Sequence, residues 1–292
     1  MAHHLGLISA DTCHIVDVED WIHGSFNVCI RIDVDGQRGD SGKQVMIRFP
    51  LPYRIGEDCC PGNADEKVRC EVGIYAWLQE ICPTVPISRL YGFGLSIGET
   101  VRLPFMCLPV HLVLVKLSDS IPYVQHRIKD QFALGTAYLL IEYVDPSRGK
   151  MLSETWEEGR HNIKLRTNLF HGLSRIMLAL ARIPLPKIGT FTLDEKGYLS
   201  LNNRPLTQEI QQLENEHIPV DMPQNTAYAT VDSYVNDIRA FHESRLRHQR
   251  NAAIDLISID DYEILRKEFM MAFAEEEMKI EDKRSVYTFS LD

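Results

Sequence analysis

Three short blocks near the start of the chain carry residue types suited to holding phosphate. Gly24-Ser25-Phe26-Asn27 lies between two strand-like runs. A small residue there lets backbone N–H groups approach an anion closely, and Asn27 can hydrogen-bond back across the turn. Arg48 follows in Val45-Met46-Ile47-Arg48-Phe49-Pro50, where apolar neighbours would half-bury its stem. A buried cation calls for a carboxylate or an anionic ligand. Glu71, further along, has the sign and chain order to be that carboxylate. The three blocks could clamp a phosphate, with Arg as a planar bidentate donor rather than a point charge. An ordinary turn and a structural Arg–Glu pair are the alternatives.

The elements that must position these groups are legible in the pattern. Residues 27–34 alternate as a half-buried strand does, and 35–42 form a turn cluster before a second strand over 44–49. Pro50 and Pro52 end that strand, because neither can donate to a ladder. Cys60-Pro61-Gly62-Asn63 reads as a loop. Asp65 is the expected N-cap of a helix over 66–81, with Val68, Val72, Tyr75 and Leu78 as its apolar stripe and Glu71 on the flank. Leu90 to Gly94 and Tyr138 to Val144 read as strands. Ser118 to Ala133 is open between a helix and an insertion.

The second half reads as mostly helical. Leu165, Leu169, Leu173, Ile176 and Leu180 mark one helix, and Met177 widens its apolar face. A hairpin is expected over 188–201, turning at 194–197. Tyr234, Ile238 and Phe241 mark a further helix, and another is expected over 258–280, capped near Ser258 with Leu265, Phe269 and Phe273 on one face.

The chain of 292 residues is 45% hydrophobic and 25% charged, as soluble globular proteins are. Its net charge of -10 argues against a general nucleic-acid or anionic-membrane binder. Met1 to Gly6 has no apolar run after a basic start, and Val101 to Val115 is too short and too interrupted to span a bilayer. A cytoplasmic location is the expectation. All seven cysteines precede residue 108, and reduced thiols are expected for an odd set. Zinc held by Cys59, Cys60, Cys70 and Cys82 is the sharper alternative, although no Cys-x-x-Cys pair is present. His161, His171 and His217 show no partner pattern. His242-Glu243-Ser244-Arg245 lies mid-helix and is a poor catalytic element.

Taken in order, these segments resemble the aminoglycoside phosphotransferase-like kinases, particularly a branch abundant in fungi. The resemblance rests on Gly24 to Asn27, Val45 to Pro52, Pro61 to Lys67, Glu71 with Tyr75-Ala76-Trp77-Leu78, Pro86 to Gly94 and Tyr138 to Tyr143. Ile188-Gly189-Thr190-Phe191 and Asn203-Arg204-Pro205-Leu206 extend it. It implies an α+β, protein-kinase-like bilobal fold: an N-lobe over 1–144 with an antiparallel sheet plus a helix, and a partial, mainly helical C-lobe over 145–292. It also implies ATP between the lobes. Gly24, Ser25, Phe26 and Asn27 would form the nucleotide loop, Arg48 would contact phosphates, and Glu71 would hold Arg48. Residues 141–144, with Glu142 and Val144, would be the hinge that offers backbone groups to adenine.

Such kinases also use an Asp in a His-x-Asp loop as base, then an Asn and a later Asp that hold magnesium. Family order puts these after the third C-lobe helix, where Ser285 to Asp292 reads as the strand leading into that loop. The expectation is therefore a truncated or inactive, pseudokinase-like member, with Mg2+ bound only if a further segment is supplied. The complete family transfers phosphoryl groups from ATP to a hydroxyl of a small-molecule acceptor. The alternative is a non-catalytic nucleotide-binding or scaffold protein, with a protein partner covering the incomplete C-lobe.

Overall fold

Period-two alternation builds the main sheet. The computed structural model describes residues 2–5, 7, 10–35, 42–102, 125–127, 134–193 and 198–249. The chain divides into two units, Met1–Phe241 and His242–Asp292. In the first unit, strands β1 (Cys13–Ile15), β2 (Ile22–His23), β3 (Asn27–Val34), β4 (Lys43–Pro50), β5 (Leu90–Gly94), β6 (Glu99–Arg102), β7 (Gln125–Arg127) and β8 (Tyr138–Glu142) form one antiparallel sheet. Its order is β1-β3-β4-β8-β5-β6-β7, with β2 pairing β3 off that path.

Strands β4, β5 and β8 send alternate side chains to two cores. Ile30, Ile32, Val45, Ile47, Tyr138 and Leu140 bury on one face, packed against Leu5, Leu7 and Trp21. Phe26, Leu90, Phe93, Leu139 and Ile141 bury on the other. Helices α1 (Ala2–Leu5), α2 (Pro52–Ile55) and α3 (Asn63–Ile81) flank the sheet, and Val68, Val72 and Ala76 of α3 seal the second core. Pro50 is the last residue of β4, and Pro52 opens α2 at a first-turn position that needs no N–H.

The start of α3 corrects the expected cap. Gly62 is the N-cap, with φ 101, and the helix begins at Asn63. The Glu57 carboxylate accepts from the Gly62 N–H at 2.8 Å and from the Ala64 N–H at 2.6 Å. That carboxylate satisfies donors a helix start leaves open, so Asp65 is released for another task. It accepts from the Ser96 N–H and Oγ at 2.8 and 2.7 Å, tying the helix to the β5–β6 turn.

Helices α4 (Leu152–Gly159) and α5 (Ile163–Ala181) follow the sheet. The apolar face read for α5 is present, but none of its residues is buried; Ile163 is 78% and Met177 69% exposed. The expected hairpin forms as β9 (Thr190–Leu193) and β10 (Leu199–Asn203) and packs on α3. Phe191 stacks on Trp77 with ring centroids 5.3 Å apart. Gly73 makes this approach possible, since a Cβ there would run into the Phe191 carbonyl. Ile210 and Leu213 of α6 (Gln208–Asn215) and Phe241 of α7 (Val231–His248) meet Met222 and Tyr228 of the connecting segment in a third core.

Within the segment read as helix or insertion, Gln125–Arg127 is a strand, and the rest lies outside the described residues. The turn at 194–197, the helix over 258–280 and Cys107 also lie outside them. The described part of the second unit is the end of α7, where Arg245 Nε donates to Gln249 Oε1 at 2.9 Å. Among the described residues no helix is long and apolar enough to cross a membrane.

Candidate functional site

The β2–β3 hairpin is closed by the Gly24 N–H, which donates to the Asn27 carbonyl at 2.8 Å. Gly24 and Ser25 are exposed at the turn. Phe26 is committed to the core, and its carbonyl accepts from the Leu51 N–H at 2.9 Å. Its side chain therefore anchors the turn, and only its backbone is left for a ligand. The Ser25 and Phe26 amides make no backbone hydrogen bond among the described residues. Asn27 Oδ1 is buried without a hydrogen-bond partner.

Arg48 lies two positions short of the strand end that faces this turn, because Asn27 pairs with Pro50 and Cys29 with Arg48. Its Nη2 donates to Glu71 Oε2 across from β4 to α3. Lys67, one turn earlier on α3, holds Glu71 Oε1 at 2.9 Å. These side chains are only 22%, 23% and 12% exposed for Arg48, Glu71 and Lys67. Two cations on one carboxylate leave a surplus of positive charge in a half-buried place, which favours an anion. Arg48 Nε is buried and unpartnered. Lys67 was not among the residues singled out from the sequence, although its spacing of four before Glu71 was a signal.

Cys29 and Tyr75 complete the surroundings. Burial raises the Cys29 thiol above its ordinary value, with Arg48 opposing and Glu71 assisting. Burial raises the Tyr75 phenol as well, again against Arg48. Both are neutral at pH 7, so they add no charge of their own. The arrangement is suited to holding an anion in place. Proton transfer is not its evident chemistry.

The hinge residues stand apart from this cluster. Glu142 pairs with Val45 across the β4–β8 ladder, whereas Arg48 pairs with Leu139. That is an offset of three residues, on the order of 10 Å. β8 ends at Glu142, shorter than the strand read to 144. The Glu142 N–H donates to the Arg89 carbonyl at 2.7 Å. Its carboxylate accepts from the Arg89 N–H at 3.2 Å and from Arg148 Nη1 at 2.9 Å. The side chain of Glu142 is thereby committed to the chain itself. Val144 lies beyond the strand, 50% exposed.

The other candidates fare differently. Among the described residues no three His, Cys, Asp or Glu side chains group as a metal site, and the described cysteines are free. Cys70 is buried beside Asn203, whose Nδ2 reaches its sulfur at 3.3 Å, so it is a core thiol. His217, read without a partner, meets Cys59. His161 and His171 are exposed on or beside α5. No protein-family model, curated protein or solved structure matches this chain.

Proposed function

We propose that this chain binds a nucleoside triphosphate, ATP, in the manner of the phosphate-holding half of a kinase-like fold, as its resemblance to aminoglycoside phosphotransferase-like kinases implies. The observation that carries this is the Arg48–Glu71 pair, strand to helix, beside a tight turn with uncommitted amides. Kinases use a strand cation held by a helix glutamate in the same order along the chain. Here the phosphates would meet Arg48, Lys67 and the Ser25 and Phe26 amides. The purine would lie toward Glu142 and Val144, since the offset along β4 and β8 suits the reach from base to phosphates.

Phosphoryl transfer to a small-molecule hydroxyl would be the activity of this family. The test of binding is thermal stabilisation by ATP, with adenosine as control. ATP should raise the unfolding midpoint and adenosine should raise it much less, because the charge surplus acts on phosphate. No shift with millimolar ATP would contradict the reading.

A second reading is a non-catalytic scaffold protein on the same fold. It is favoured by the exposed apolar face of α5, which carries Leu165, Phe170, Leu173 and Met177. Solution mass decides here: a monomer that stays soluble and captures no partner counts against it.

A further inference from the structure

A second place in the Met1–Phe241 unit brings a nucleophile and a base together. Cys59 Sγ lies 3.1 Å from His217 Nε2. Its other contact, to the Asn215 carbonyl, is longer at 3.9 Å. The imidazole is thus the nearer acceptor for the thiol proton. The pair stands at an open pocket of about 530 Å³, lined also by Cys60, Ile218, Val220 and Asp221.

The backbone at His217 adds an independent observation. The Ile218 N–H donates to the Leu213 carbonyl at 2.9 Å, and the His217 N–H to the Glu214 carbonyl at 3.1 Å. This is a Schellman ending of α6, and His217 occupies the left-handed position usually given to glycine, with φ 61. Asp221, on the same pocket wall, is also left-handed at φ 54. A histidine here is unfavourable for the backbone, and such departures gather where a side chain has a task.

We propose that Cys59 and His217 form a reactive thiol dyad that adds to small uncharged α,β-unsaturated carbonyl compounds. The Cys59 proton passes to His217 Nε2, and sulfur forms a bond to the β-carbon of the acceptor. The π pair of the alkene moves to the carbonyl as an enolate, and the imidazolium returns the proton to the α-carbon. No other reactant is consumed. Ile218 and Val220 give the pocket an apolar wall, while Asp221 disfavours anionic reagents. Cys60 serves as an internal comparator: burial first, then Glu214, pushes its thiol up and keeps it protonated. This site does not depend on the nucleotide reading.

The experiment treats the full chain with 2-hexenal and follows each cysteine by peptide mass spectrometry. Cys59 should react at least tenfold faster than Cys60 and Cys13. In His217→Gly and His217→Asn, which both accept the left-handed backbone, that advantage should vanish while the folded circular-dichroism signal persists. A Cys59 rate equal to that of Cys13, or an advantage retained in both folded variants, would overturn the proposal.

Discussion

Arg204 and Glu66 meet as a buried two-pronged pair, with Nη2 to Oε2 at 2.7 Å and Nε to Oε1 at 2.9 Å. Glu214 takes the Arg204 Nη1 from the other side at 2.7 Å. Burial opposes the Arg204 charge, but its hydrogen bonds to Glu66 and Glu214 outweigh that and raise its pKa. Asn203 and Asn63 donate to the remaining carboxylate lone pairs, each at 2.8 Å. The network joins α3, the end of β10 and α6.

Removing the cation alone should therefore be severe. Arg204→Met leaves two carboxylates buried without it and should cost about 3–5 kcal/mol. The triple variant Arg204→Met, Glu66→Gln, Glu214→Gln keeps the asparagine bonds and should regain most of that loss. Urea denaturation of both variants checks this. A single variant as stable as the parent would show that the network is not holding these elements together.

The hairpin seat on α3 makes a second prediction. Gly73→Ala puts a Cβ against the Phe191 carbonyl, which is backbone and can yield only by shifting β9. Overpacking of this kind costs about 1–3 kcal/mol, against the gain in helix propensity that alanine would otherwise bring. The thermal midpoint should fall. A rise would mean that α3 and β9 are further apart than described.

Alkaline pH gives a third. Burial, then Glu66, raises the Cys70 thiol from 9.0 to about 12. Burial raises the Tyr138 phenol from 10.0 to about 12. Both are neutral acids in the fold, so their contribution is complete below the unfolded values. It is lost as pH climbs toward 12, because the unfolded chain releases protons first. Each group contributes a slope of up to about 1.4 kcal/mol per pH unit. Urea unfolding between pH 8.5 and 11.5 should show stability declining, and Cys70→Ala should make the decline shallower by one group. An unchanged slope in that variant would contradict the assignment.

Much of the sheet and of α3 was legible because local spacing encodes it. Alternation over 27–34 and the stripe Val68, Val72 state which faces bury. Arg48 and Glu71 were legible as a complementary pair because a half-buried cation needs a carboxylate. Glu57 was not seen as the cap of α3, since its role depends on how the α2–α3 loop folds back. Glu66 beside Arg204 and the imidazole beside Cys59 come from positions 138 and 158 residues away. No local period carries such pairings. The α5 stripe reads as amphipathic, yet its exposure depends on what packs beside it.

The nucleotide reading rests on Arg48, whose buried Nε is unpartnered and whose Nη2 is held by Glu71. Calorimetric titration of ATP into the parent chain and into Arg48→Ala tests it most directly. A phosphate contact of this kind is worth about 1.5–3 kcal/mol, so the account predicts an ATP affinity at least tenfold weaker in Arg48→Ala, with the fold intact. Equal affinity in the two folded proteins would contradict it and leave Arg48–Glu71 as a structural pair.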